Sequence, residues 1–345
     1  MRAAPSASII AAAAAAVLAG CAGAAQPANP PINSEVAQAG ERSFLAPLAR
    51  PAAVAAGLAR LRLDATMPIA GTRAQGRLHD LYVADYGVGA IVLLNNKGYT
   101  FDSRITAGIS GPEADDLDAA GDLYVANAAT DDITEYAPGA SSPSFTYSSG
   151  MIFPVNLTVD RHGNVFEADY GDQKQRNIGF VNEYAQRSDT ILRSCPTPGR
   201  TEGVAVDSAG DVFVSYNTRF GGRFAEYKGG LQDCTAIALH VHAFSAGGIA
   251  LEKSRDLIVV DQAAGRVKVF PPPYRHDQRR LGSQYYDPFH VRINRRNGLA
   301  FVTDPGNAVV DVIDYATGRI VEQLDYSNAG FTIPFDAVDG PNAVF

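Results

Sequence analysis

The stretch Gly121-Asp-Leu-Tyr-Val-Ala-Asn127 decides the fold, because it recurs. Its copies are Leu81-Tyr-Val-Ala-Asp85, Val165-Phe-Glu-Ala-Asp169, Val212-Phe-Val-Ser-Tyr-Asn217, Leu257-Ile-Val-Val-Asp261 and Leu299-Ala-Phe-Val-Thr-Asp304. The polar end residues follow one another at intervals of 42, 42, 48, 44 and 43 residues. Each copy is rich in Val, Tyr and Phe and is bounded by turn residues, which is a strand signature. Repetition at this period points to an array of supersecondary units.

Working outward, a second phrase follows each copy: Ile133-Thr-Glu-Tyr136, Val181-Asn-Glu-Tyr184, Phe224-Ala-Glu-Tyr227, Val267-Lys-Val-Phe270 and Val312-Ile-Asp-Tyr315. A third phrase precedes it and ends in an acid, as in Leu157-Thr-Val-Asp160, Val204-Ala-Val-Asp207 and Ile249-Ala-Leu-Glu252, with Asp115-Asp-Leu-Asp118 as a polar copy. Each unit therefore predicts an inner strand, a tight turn, a second strand, a loop and a third strand. A less regular fourth strand follows, for example Ser144–Tyr147 or Thr235–Leu239. Four antiparallel strands in 40–48 residues describe a β-propeller blade. No helical segment of 10–15 residues separates the strands, which excludes a parallel βαβ fold.

Six copies predict an all-β, six-bladed β-propeller over residues 70–345. The first blade lacks an inner strand before Arg77, whereas the C-terminal Phe335-Asp-Ala-Val-Asp339 is an inner-strand phrase with no blade of its own. It is expected to close the ring by completing the first blade, since an open sheet edge invites aggregation. The surplus Ala343–Phe345 leaves a seventh, hybrid blade as the alternative. Thr201-Glu-Gly-Val-Ala-Val-Asp207-Ser-Ala-Gly-Asp-Val-Phe-Val214 resembles the repeat of NHL-type propellers. That group is related to the SMP-30/gluconolactonase and streptogramin-lyase propellers. The resemblance covers about residues 70–345 and implies the fold; it does not fix a chemistry.

The N-terminus carries a different message. Arg2, an apolar run from Ile9 to Leu18 and small residues after it read as a secretory signal over residues 1–20, too short to span a bilayer. Leu18-Ala-Gly-Cys21 resembles the lipobox of bacterial lipoproteins, which implies acylation of Cys21 and cleavage before it. Residues 21–69 then form the anchor, a tether and a lead-in, since Ala22–Ser34 has no charge and cannot bury a core. Acyl chains would hold the protein on a membrane. Ala22, in place of an Asp, leans the resemblance toward the outer membrane or cell surface of a bacterial envelope.

The net charge of −8 and 19% charged residues argue against bulk binding of nucleic acid. Of three cysteines, Cys21 is assigned to lipid, which leaves Cys195 and Cys234 as a candidate disulfide outside the cytoplasm. The end residues Asp85, Asn127, Asp169, Asn217, Asp261 and Asp304, and the inner acids Asp118, Asp160, Asp207 and Asp339, are expected to cap turns rather than bind a ligand.

A propeller site lies at a mouth of the central channel, and residues entering the inner strands should line it. Glu113, Asn156, Glu202, His290 and Asp336 are the candidates. Carboxylates, an amide and an imidazole are suited to a divalent metal, Ca2+ or Mg2+, with Glu113, Asn156, Glu202 and His290 as ligands; no other cofactor is implied. The gluconolactonase resemblance implies a similar set on inner strands, without a residue-by-residue match. Gly247-Gly248 and Val155 are expected to leave gaps in it. His240 and His242 share a strand face but lack a third ligand nearby. Tyr86, Tyr170, Tyr285 and Tyr286 are candidates for an aromatic surface. No activated-serine or nucleotide-binding motif is present. The reading therefore leans away from an enzyme, toward a monomeric, membrane-tethered, extracytoplasmic lipoprotein binding a protein, peptide or glycan. The alternative is a metal-dependent lactonase- or lyase-like hydrolase using the channel.

Overall fold

The computed structural model describes residues 81–95, 98–172, 178–294 and 298–340. The signal, Cys21 and the tether lie outside the described residues, as do Ala343–Phe345. Among the described residues no helix is long and apolar enough to cross a membrane.

The described residues form 24 strands in six four-stranded antiparallel sheets. Blade one holds β1 (Leu81–Asp85), β2 (Ala90–Asn95) and β3 (Thr100–Ile105). Blade two is β4 (Pro112–Leu117), β5 (Leu123–Asn127), β6 (Asp132–Tyr136) and β7 (Phe145–Tyr147). Blade three is β8 (Pro154–Val159), β9 (Val165–Asp169), β10 (Gly179–Tyr184) and β11 (Ile191–Thr197). Blade four is β12 (Arg200–Val206), β13 (Val212–Thr218), β14 (Gly221–Tyr227) and β15 (Ala236–Ala238). Blade five is β16 (Ala246–Leu251), β17 (Leu257–Asp261), β18 (Arg266–Phe270) and β19 (Arg279–Leu281). Blade six is β20 (Val291–Ile293), β21 (Leu299–Asp304), β22 (Val309–Asp314) and β23 (Arg319–Leu324), followed by a one-turn helix α1 (Tyr326–Ala329) capped by Asp325.

The last strand, β24 (Pro334–Asp339), pairs with β1 in the register Leu81↔Asp339 to Ala84↔Asp336 and becomes the inner strand of blade one. The ring thus closes with six blades. The apolar residues explain why. The second strands of blades one, two, three and five are buried along their whole length, and those of blades four and six along all but their ends, because both faces pack against a neighbouring blade. Tyr82, Leu93 and Ile105 of blade one meet Leu123 and Tyr136 of blade two in one core cluster. Equivalent clusters fill the remaining interfaces, ending with Phe331 and Val83 against Phe301 and Val312 between blades one and six. Burial at roughly 25 cal/mol per Å² is what holds such a ring together.

The six end residues are clips, as their turn position predicts. Asp169 accepts backbone N–H bonds from Ile152 (2.7 Å), Phe153 (3.2 Å) and Gly171 (2.7 Å). Asp85 does the same with Thr332, Ile333 and Gly87, Asp261 with Phe244 and Ala264, and Asp304 with Tyr286 and Asp287. Each ties the loop leading into an inner strand to the second strand of the same blade. Asn217 differs. Register places Tyr216 opposite Thr201, so Asn217 stands one residue beyond the other end residues and bonds Ala246 of blade five instead. The inner acids hold their own turns: Asp118 accepts from Ala120 and Asp122, Asp160 from His162 and Asn164, and Asp207 from Ala209 and Asp211.

Candidate functional site

The inner strands share an irregularity that positions the channel residues. The register slips by one residue between Pro112 and Ala114, between Pro154 and Asn156, and between Thr201 and Gly203. In β16 and β24 the shift falls at Gly247–Gly248 and at Phe335. In blade six, the Phe289 N–H donates to the Thr303 carbonyl and the Thr303 N–H donates back to the His290 carbonyl, so two residues again face one. A β-bulge re-aims the side chains around it. The position just after the bulge is Ala114, Asn156, Gly203, Gly248, His290 and Asp336 in blades two to six and one.

Three of the five sequence candidates meet at this level. His290 Nδ1 lies 3.4 Å from Asp336 Oδ2. The Asn156 amide nitrogen lies 3.4 Å from the His290 ring nitrogens, reaching from blade three to blade six on the opposite side of the ring. With Nδ1–H turned to Asp336, Nε2 is the acceptor left for Asn156. Asn156 Oδ1 accepts from the Val204 N–H (3.2 Å), and Asp336 Oδ2 from the Asp115 N–H (3.3 Å). Residues at this level thus reach the backbone of the next blade. Glu202 is drawn aside to Asn217 at 3.0 Å. Glu113 is buried at the bulge of blade two. The expected gap at Gly248 is filled: a Cβ there would stand 2.5 Å from His290 Cδ2, so the imidazole occupies the space the missing side chain leaves.

Sequence reading missed the residue that organises the cluster. Arg292, two residues beyond His290, is buried. Its Nε donates to both oxygens of Asp336 (3.1 and 2.9 Å), and Nη2 donates to Asp336 Oδ2 and to the Leu157 carbonyl of blade three (3.0 Å). One guanidinium therefore spans the channel and binds three blades. Burial pushes the Asp336 carboxyl up, but Arg292 and His290 outweigh it and hold it well below the usual carboxylate range. Asp115 behaves oppositely: burial and then the Asp336 charge push it well up, against Arg292. Neither Asp115 oxygen has a hydrogen-bond partner to offset that burial. Asp116 is raised by burial despite Arg292 and its bonds from Thr158 and Val159. The signal for this set was the polar phrase Asp115-Asp116 and an Arg where other inner strands carry Thr158, Ala205, Ala250 or Val338.

These residues do not fit a divalent cation. Arg292 already supplies the positive charge facing Asp336, and Glu202 is turned to an amide. Among the described residues no group of three or more His, Cys, Asp or Glu side chains is placed to hold a metal.

The aromatic candidates divide. Tyr86 stacks on Phe335 (4.8 Å) and Tyr170 is buried under the Arg200 guanidinium (4.8 Å), so both pack turns. Tyr285 is buried, whereas Tyr286 is 68% exposed. Cys195 and Cys234 are disulfide-bonded, with 5.2 Å between Cα atoms, and join the outer strand of blade three to the β14–β15 loop.

No family model matches the chain, and no curated protein matches it. Solved structures do. A protein of unknown function from Bacteroides caccae superposes with a TM-score of 0.60 at 13% identity, covering 77% of this chain and all of that one. A chain from a nidogen/laminin complex gives 0.61 at 14% identity, covering 78% and 100%. At these identities the likeness is one of fold, the six-bladed propeller.

Proposed function

We propose that this chain is a membrane-tethered extracytoplasmic lipoprotein whose NHL-like propeller is a binding or scaffold module. One observation carries the binding reading. Of the ten exposed large hydrophobics among the described residues, six sit on one face of the ring: Val88, Ile152, Ile178, Phe220, Phe244 and Tyr286. They lie on the loops between second and third strands or on those leading into inner strands, beside the end-residue clips. The other four, Leu192, Ile237, Ile320 and Val321, are scattered on outer strands. The loops of this face therefore carry most of the exposed apolar side chains, the kind of group a partner would cover. The propeller in the nidogen/laminin complex is a fold-level parallel for such a role.

Two measurements test the proposal. Cys21→Ala should release the protein from membranes and abolish acyl labelling; continued fractionation with membranes would refute the lipid anchor. The released body, cross-linked in native envelope, should capture a partner that is lost when Val88, Ile152 and Tyr286 are changed to Ser. Equal recovery, or loss on changing Leu192 and Ile237 instead, would refute the face assignment.

A further inference from the structure

Within that face, blade four has a corner of distinct chemistry. The hairpin joining β13 to β14 carries Arg219 and Phe220, and Arg223 follows. Beside it runs the extended segment 239–245. The Gly222 N–H donates to the Ala243 carbonyl (3.0 Å), and the Leu239 N–H donates to the Phe224 carbonyl (2.9 Å), so the segment prolongs the blade past β15. The approach is close enough to require glycine: Gly221 has φ of 98°, and a Cβ there would meet the Ala243 and Phe244 carbonyl oxygens at 3.0 and 3.2 Å.

This pairing sorts the segment by alternation. Val241 and Ala243 enter the core shared with blade five, while His240, His242 and Phe244 turn outward. Phe220 is 70% exposed and Phe244 is 51% exposed. The Arg219 guanidinium lies over the Phe220 ring at 4.5 Å. Arg223 Nη1 is held by the Gly222 carbonyl at 2.8 Å, and Arg200 stacks on Tyr170 nearby, opposite Asn217 in the ladder. Residues 217–223 and 239–245 contain two Arg, two His and no Asp or Glu. Two carboxylates are bonded to this corner, Glu202 by the Asn217 amide and Asp261 by the Phe244 N–H; both are buried, and Asp261 is paired with Lys268. This corner is thus locally basic on a chain of net charge −8.

We infer that this corner docks an acidic peptide segment of the protein partner; the inference rests on the binding role proposed for the face. Arginine forks match carboxylates in two-pronged geometry, and stacked guanidinium groups arrive pre-oriented. Phe220 and Phe244 supply the apolar anchors that such interfaces concentrate at their centre.

The test uses the soluble Cys21→Ala protein and a labelled Glu/Asp-rich peptide containing two leucines, read by fluorescence anisotropy. The comparison probes are its Gln/Asn counterpart, heparin and phosphatidylglycerol vesicles. The acidic peptide should bind at least about 10-fold tighter than its amide counterpart. Arg219→Glu with Arg223→Glu should weaken it about 30-fold or more, as loss of an interface hot spot does. Phe220→Ser with Phe244→Ser should weaken it about 10-fold without lowering the unfolding temperature, because both rings are exposed. Equal binding of both peptides, indifference to the Arg changes, or heparin or vesicles binding this corner in the peptide's place would overturn the assignment. Partner capture that survives the Arg changes but not the Val88, Ile152 and Tyr286 changes would overturn it while leaving the face reading intact.

Discussion

Replacing Arg292 with Met removes the guanidinium and keeps most of the apolar stem. Four hydrogen bonds disappear, three to Asp336 and one to Leu157. Asp336 then keeps the backbone N–H groups of Asp115 and Ala337 and the His290 ring, but no permanent positive charge, inside a buried site. Breaking one side of a buried pair costs about 3–5 kcal/mol, most of it the stranded charge. For a ring of roughly 260 residues, each kcal/mol shifts Tm by about 2–4 °C, so Met should lower Tm by roughly 6–20 °C at pH 7.5. The loss should depend on pH. In the wild type the depressed Asp336 contributes stability that is present above its unfolded value near ~3.9 and is lost as pH falls through its folded value. Without Arg292, burial raises the carboxyl, and the variant loses stability as pH rises instead. The gap between the two proteins should therefore narrow from pH 7.5 to pH 4. Adding Asp336→Asn to the variant should restore part of the loss at pH 7.5. Calorimetric scans of the three proteins decide it. A Tm drop under about 2 °C at pH 7.5, a gap that does not narrow in acid, or strictly additive losses would refute the reasoning.

Asp115→Asn tests the raised carboxyl. Its folded value lies above its unfolded one, so its contribution is full below about pH 3.9 and is lost as pH rises through the folded value. Tm of the Asn variant minus that of the wild type should be more positive at pH 8 than at pH 5; parallel melting curves would count against it. Cys195→Ala with Cys234→Ala should cost roughly 3–4 kcal/mol, since the bond closes a loop with a sequence separation of 39. Dithiothreitol should lower the wild-type Tm toward the variant's and leave the variant unchanged.

The blades were legible because strand phrases repeat and because ring closure leaves one phrase without a blade. The clips were legible because Asp and Asn at strand ends have few structural alternatives. The channel was legible only in part. Every inner strand carries the same bulge, so four residues back from Asp118, Asp160 and Asp207 stand Ala114, Asn156 and Gly203 at one level. Asp339 breaks the count, because it stands opposite Leu81 as Leu117 stands opposite Leu123, one place short of the inner acids, and four back from it is Phe335 rather than Asp336. Asn217 shows the same failure in a second strand, where the longer interval of 48 residues holds one extra position before the end residue. Arg292 was hidden for another reason. A lone Arg in an apolar strand phrase reads as a solvent-facing residue, and only the ring geometry shows that solvent is absent there and that its partner lies 44 residues away on another blade.

The chemistry of this cluster also bears on the binding role proposed above. A ligand-binding channel needs polar groups aimed at empty space. Here Asp336 is engaged by Arg292, His290 and two backbone N–H groups, and Asn156 by Val204 and His290. The polar groups that span the ring are directed at one another, from blades one, three and six. That arrangement is suited to fixing the relative position of blades that share no sheet. Under the binding role proposed above, a partner would then meet the exposed loops, with their aromatic tips and arginines, rather than the channel. A change that opens the channel should thus disturb stability first, whereas a change at Phe220 or Arg219 should disturb binding with the ring intact.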